Sequence, residues 1–114
     1  MSIPDAVKVV VESSLISFNE QRIPEHVRDK VRLSYRFRGN SVTMYEERIA
    51  FVGRGGWVET VVAQFRFDPE QRTWTLYCAD RKSRWHKYPD LEPNDDFELL
   101  LQEVHEDPTG IFWG

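Results

Sequence analysis

A single cysteine, Cys78, leaves nothing for a disulfide to form with and removes every C-x-x-C arrangement, so neither a cross-linked scaffold nor cysteine-based zinc or redox chemistry is open to this chain. Long hydrophobic runs are also missing. The N-terminal stretch VKVVVESS is interrupted by Lys8 and Glu12 and has no basic segment before it, which fits neither a signal peptide nor a membrane span. The three histidines, His26, His86 and His105, show no metal-ligand spacing. No internal repeat, low-complexity tract or linker divides the chain. These absences predict one cytoplasmic domain over residues 1–114, without metal, cofactor or membrane association. A chain of this length buries roughly two-thirds of its unfolded surface on folding, enough for a single core. One further absence is local: residues 89–114 contain no Lys or Arg and eight Asp or Glu, whereas residues 22–88 hold fourteen Lys or Arg against eight acids. The net charge of −4 therefore hides a basic middle and an acidic end.

Hydrophobic periodicity divides the chain into elements. Val7, Val11, Leu15 and Phe18 recur at helical spacing, Pro4 suits a first turn, and Ser2 with Asp5 resembles a capping box, predicting a helix over about 4–21. Pro24 starts a short helical turn in IPEHVRDK. From Val31 the period becomes two, as Val31, Leu33, Tyr35 and Phe37 alternate with Arg32, Ser34, Arg36 and Arg38. A Gly-Asn turn and SVTMYEERIAF complete a hairpin over 31–51. A third strand follows over 57–67 with Val61, Ala63, Phe65 and Phe67 inward, then a fourth with Trp74, Leu76 and Cys78 inward, then a short fifth around Trp85. Asn94 or Asp95 is placed to cap a last helix whose Phe97, Leu100, Leu101 and Val104 form an apolar stripe. Short turns make consecutive strands antiparallel neighbours, so the expected fold is α+β: a five-stranded antiparallel meander with the N-terminal and C-terminal helices packed on one face.

The opposite face then collects Arg32, Ser34, Arg36, Arg38, Thr43, Tyr45, Glu47, Thr60, Gln64, Arg66, Thr73, Thr75 and Tyr77, with Arg84, His86 and Tyr88 from the fifth strand. Guanidinium groups hold phosphates and aromatic faces stack bases, which is what a single-stranded nucleic acid requires. Any one-sided sheet also shows polar residues to water, so the same pattern fits a plain solvated face. The candidate ligand-binding residues are Arg32, Arg36, Arg38, Tyr45, Arg66, Tyr77, Arg84 and His86.

Other signals are weaker. Asp80-Arg81-Lys82 matches the D-x-K half of a metal-dependent nuclease motif but falls on a predicted turn, where Asp80 can accept backbone N–H groups instead. GRGG at 53–56 offers amides to a phosphate but matches no P-loop or dinucleotide fingerprint, and reads as a hairpin loop. Cys78 points inward as a small core hydrophobe, and Trp85 is expected in the core. Glu46 shares the period of Val42 and Met44, so it needs a cationic or amide partner. An ionic network of Glu46, Arg48, Asp80 and Arg81, joining the second strand to the turn after the fourth, would supply one.

The segments VRLSYRFRGNSVTMYEERI, VAQFRF, WTLYCADRKSRWHKY and DPTGIFWG, in that order, resemble a small and mainly bacterial group, family 3024 of the domains of unknown function. The resemblance spans about residues 22–114. Glu46 and Arg48 fall on its E-x-R element, and Trp74, Asp80, Arg81 and Trp85 on its W-x-L-(aromatic)-x-x-D-R…W element. Ile49 stands where the family has proline, and Cys78 where it has an aromatic. The resemblance implies a complete domain and importance for Glu46, Arg48, Asp80 and Arg81. It implies no activity.

Together these readings predict a binding module with single-stranded nucleic acid or another polyanion as ligand. The alternative is a protein-interaction or accessory module, dimeric through an edge strand or the apolar tail; a metal-dependent nuclease-like enzyme ranks third, and no catalytic residue is assigned. The acidic C-terminal helix is placed either to attenuate the field of the basic sheet or simply to face water.

Overall fold

The computed structural model describes residues 3–49 and 56–113. Helix α1 (Asp5–Arg22) leads through a short 3-10 turn at Glu25–Val27 into strands β1 (Val31–Arg38), β2 (Ser41–Ile49), β3 (Trp57–Asp68), β4 (Thr73–Ala79) and β5 (Trp85–Lys87), and the chain ends in helix α2 (Phe97–Glu106). The strands form one antiparallel sheet in sequence order, β1-β2-β3-β4-β5, so the fold is the α+β meander that the periodicity predicts.

Local chemistry explains where the elements stop. Ile23 precedes proline and is extended, which ends α1 after a last bond from its N–H to Asn19 O. Gly39 takes a φ of 59°, opening the two-residue β1–β2 turn. α2 is capped by Asp96, whose carboxylate accepts from the Glu98 N–H, rather than by Asn94 or Asp95. Asn94 is committed elsewhere: its backbone pairs with that of Trp74. Pro4 occupies the N-cap of α1, and the capping-box Ser2 lies outside the described residues, as do Ala50, Phe51 and positions 53–55 of GRGG.

Both helices lie on one face of the sheet. Val11, Leu15 and Phe18 of α1 and Phe97, Leu100, Leu101 and Val104 of α2 close over Val42, Met44, Phe65, Phe67, Trp74, Leu76 and Cys78. Full burial of such a side chain stabilises by about 1.5–3 kcal/mol, so this layer carries most of the favourable energy of folding. At its centre the Trp74 ring lies 5.0 Å from Phe67 and 4.9 Å from Phe97, in tilted or edge-on contact. Cys78 is buried among them and burial pushes its thiol pKa up, as suits an inward-facing small hydrophobe.

One irregularity redirects side chains. Met44 pairs with Ala63 but Tyr45 pairs with Val61, so Val62 is an extra residue in β3. Because strand side chains alternate with a period of two, this β-bulge reverses the facing of everything before it. Val61, expected inward, lies beside Tyr45 on the outer face; Thr60, expected outward, pairs with Glu46 on the helix side.

Candidate functional site: the open sheet face

The register sorts the open face into rows. Arg38, Ser41, Arg66 and Thr75 form one row; Arg36, Thr43, Gln64, Tyr77 and Lys87 form the next. Ser34, Tyr45 and Val61 follow, with Trp85 beside Ala79 at the β5 side; Arg32, Glu47 and Glu59 come after, and Ile49 with Trp57 lies at the far end. Adjacent rows stand about 6.8 Å apart, two strand residues. Arg36, Arg38, Arg66 and Lys87 therefore gather on two neighbouring rows; Glu47 and Glu59 are rooted two rows away beside Arg32, and from there Glu59 reaches Arg36.

Each of three arginines lies over an aromatic ring. Arg32 sits 3.8 Å from the Trp57 centroid, Arg36 4.5 Å from Tyr45 and Arg66 3.7 Å from Tyr77. A guanidinium over a ring is attracted by the ring quadrupole and can still donate hydrogen bonds from its N–H groups. Arg32 also pairs with Glu47 at 2.9 Å, and Arg36 with Glu59. Ser34 Oγ is buried without a well-formed hydrogen bond, yet its hydroxyl is close enough to Glu47 to be the first cause, ahead of Arg32, holding that carboxyl below the usual range. Between the stacks runs a fixed polar chain: Arg66 Nε donates to Gln64 Oε1 at 2.7 Å, and Gln64 Nε2 donates to Thr43 Oγ1 at 2.9 Å. Among the described residues Arg38 has no ion-pair partner.

Arg36, Arg38, Thr43, Tyr45, Gln64 and Trp85 border a hollow of about 390 Å³. Trp85, expected in the core, is thus part of the open face. The five-residue turn Asp80–Arg84 sets Trp85 opposite Ala79 and Lys87 opposite Tyr77, so these two point outward. The facing expected for β5 is off by one residue. His86 pairs with Cys78 on the helix side and meets Asp80 Oδ2 at 2.8 Å, and Arg84 stays in the turn, also bound to Asp80, at 3.2 Å. Tyr88 is buried: its hydroxyl donates to Glu103 Oε2 at 2.7 Å and its ring packs on Phe112. Of the eight residues named from the sequence, the structure gathers Arg32, Arg36, Arg38, Tyr45, Arg66 and Tyr77 and leaves out Arg84 and His86. Trp57, Glu59, Trp85 and Lys87 join the face only through the bulge and the turn length, for which no local residue pattern is a signal.

The expected ionic network is absent among the described residues. Arg48 Nε donates to Glu46 Oε1 at 2.7 Å on the helix side of β2. Asp80 is saturated inside its own turn, where Oδ1 accepts from the Lys82 and Arg84 N–H groups at 2.8 and 2.9 Å. His86 first, then the Arg84 amide, hold its carboxyl well below the ordinary 3.8. Arg81 is exposed at the tip. The two pairs stay separate because Glu46 lies on β2 and Asp80 in the turn after β4, with β3 between them. The D-R element of the sequence therefore builds a turn, not a ligand set around the D-x-K pattern. Among the described residues, no group of three or more His, Cys, Asp or Glu is placed to hold a metal ion, and no helix is long and apolar enough to cross a membrane.

The acidic end lies across the sheet. α2 packs on the helix side, so Asp96, Glu98 and Glu106 are exposed behind the sheet instead of over its basic rows. The tail folds back on the same side. Asp107, at φ 43°, accepts from the Phe112 and Trp113 N–H groups, Trp113 Nε1 donates to Val104 O at 2.7 Å, and Arg22 covers the Trp113 ring at 3.7 Å. Burial lowers the Arg22 pKa, opposed by the charges of Glu46 and Asp107.

No curated protein and no solved structure matches the chain. A family model, Domain of unknown function (DUF3024), matches residues 3–114, essentially end to end, and the chain belongs to that family.

Proposed function

We propose that the protein is a binding module whose open sheet face takes nucleic acid or a related polyanion. The observation that carries this reading is the grouping of Arg36, Arg38, Arg66 and Lys87 on two adjacent rows, with the acidic helix on the other side of the sheet. A phosphate meeting those rows competes with Glu59 for Arg36 and finds Arg36 and Arg66 already positioned over Tyr45 and Tyr77, so little side-chain freedom is lost on binding. The Arg36→Glu, Arg66→Glu double variant should weaken binding to a single-stranded oligonucleotide and flatten its salt dependence, because each lost phosphate contact releases fewer counterions. Unmeasurable binding by the parent protein at low salt would end this reading.

A second reading, a protein-interaction module, draws on one observation: Ile49 and Trp57, paired at the far end of β2 and β3 on the open face, are both exposed. The edge-strand and tail routes to a dimer are less open. Asn19 Oδ1 accepts from the Leu33 N–H at the free edge of β1, and Phe112 of the tail is buried in its own core.

A further inference from the structure

We infer that the hollow between Tyr45 and Trp85 is a pocket for one unstacked nucleotide, which makes single-stranded nucleic acid, rather than a duplex or a simple polyphosphate, the ligand of the open face. This rests on the reading above and narrows it.

The hollow has the asymmetry of a nucleotide. Arg36 and Arg38 stand at one end, and Tyr45 and Trp85 provide aromatic walls at the other. Its floor includes Val61. Because Ala79 lies opposite Trp85, β4 raises no bulky side chain at that point, and the indole stands clear at the β5 side. Tyr45 on β2 and Trp85 on β5 are three strands apart, about 14 Å between backbones, and both line the hollow, which leaves room for a flat ring between them. Arg36 lies over the Tyr45 ring at 4.5 Å, and Tyr45 also lines the hollow. The volume of about 390 Å³ lies within the usual range for small-ligand sites.

The polar floor completes the match. Thr43 is 8% exposed, and its Oγ1 already accepts the Gln64 amide, which Arg66 locks from behind. The Thr43 hydroxyl hydrogen is left to donate, and a base edge is rich in acceptors. Arg38, with no ion-pair partner among the described residues, is positioned for the phosphate. A duplex cannot reach the slot, since its bases are stacked and paired, and an inorganic polyphosphate has nothing to place between the aromatic walls.

The test is fluorescence anisotropy of a labelled oligo-dT of about 16 nucleotides, against a duplex of equal length and with inorganic polyphosphate as competitor. The parent protein should prefer the single strand by at least about tenfold. Trp85→Ala should weaken binding by about tenfold or more with the salt slope unchanged, because stacking displaces no counterions, and Tyr45→Ala, which also releases Arg36, should weaken it at least as much. Trp85→Phe should keep most of the affinity, which separates a stacking role from a folding defect, with thermal melting of each variant as control. Arg38→Ala should instead reduce the slope by about 0.7. Equal affinity for duplex and single strand, an unaffected Trp85→Ala, or polyphosphate competing as well as oligo-dT per phosphate would overturn the nucleotide pocket while leaving a polyanion face intact. Absence of binding to all three ligands would remove both.

Discussion

The two faces of this sheet are made by the same five strands and obey different physics. On the helix side, Phe65, Trp74, Leu76 and their partners are buried and hold one another in place by shape. On the open side, arginines are held by ring faces, carboxylates and amides: Arg32 on Trp57, Arg36 on Tyr45, Arg66 on Tyr77. Removing atoms from the first face leaves a cavity, and removing them from the second lets in water. The first face should therefore decide stability and the second should decide binding.

Substitutions can break that contrast. The largest effect is expected at Trp74→Ala, which empties the centre of the aromatic cluster and should cost about 3–5 kcal/mol in denaturant unfolding, against less than about 1 kcal/mol for Tyr77→Ala on the opposite side of the same strand. Comparable losses at the two positions would show that the open face is part of the stabilising core. Tyr88→Phe should cost about 1.5 kcal/mol, because it leaves the Glu103 carboxylate without its buried donor. Burial first, then Glu103, raises the Tyr88 pKa, so the neutral phenol is the form the fold favours. Its stabilisation should be complete below about pH 10 and fade as pH rises from there toward the raised folded-state value, which denaturant unfolding of Tyr88→Phe and the parent across alkaline pH would detect.

Asp80 sharpens the comparison at a turn belonging to neither face. Its carboxyl is held below the ordinary 3.8, so it contributes fully above that pH and loses its contribution as pH falls toward the folded-state value. The parent should lose stability on acidification below about pH 4, and Asp80→Asn should show a shallower loss in parallel melts. An unchanged acid limb would mean that the turn is not stabilised by the charged form. The smallest effect on stability is expected from the Arg36→Glu, Arg66→Glu double variant. Exposed ion pairs contribute about 0–1 kcal/mol, so its melting temperature should barely move while its oligonucleotide affinity collapses. A large drop in melting temperature would assign the arginine–aromatic stacks to the fold instead.

Much of this molecule follows from neighbours in sequence. Alternation over 31–37 and 73–78 makes strands, the Val11, Leu15 and Phe18 spacing makes a helix with one buried stripe, and Gly39-Asn40 makes a tight turn, all because local backbone geometry is set within a few residues. Short turns then leave antiparallel order as the simplest outcome. For the same reason the even spacing of Arg32, Arg36 and Arg38 is enough to assign them to one face. What only the tertiary structure decided is where parity changes and who meets whom. The extra Val62 in β3 and the five-residue turn before Trp85 each shift the count by one, and with a period of two that moves a side chain to the other face: Val61 and Trp85 outward, Thr60 and His86 to the helix side. Partner choice is equally non-local. That Glu46 and Asp80 do not share one network is set by strand order, because β3 lies between β2 and β4 and each carboxylate is neutralised within its own segment, and only the sheet brings Trp85 of β5 to the hollow beside Tyr45 of β2.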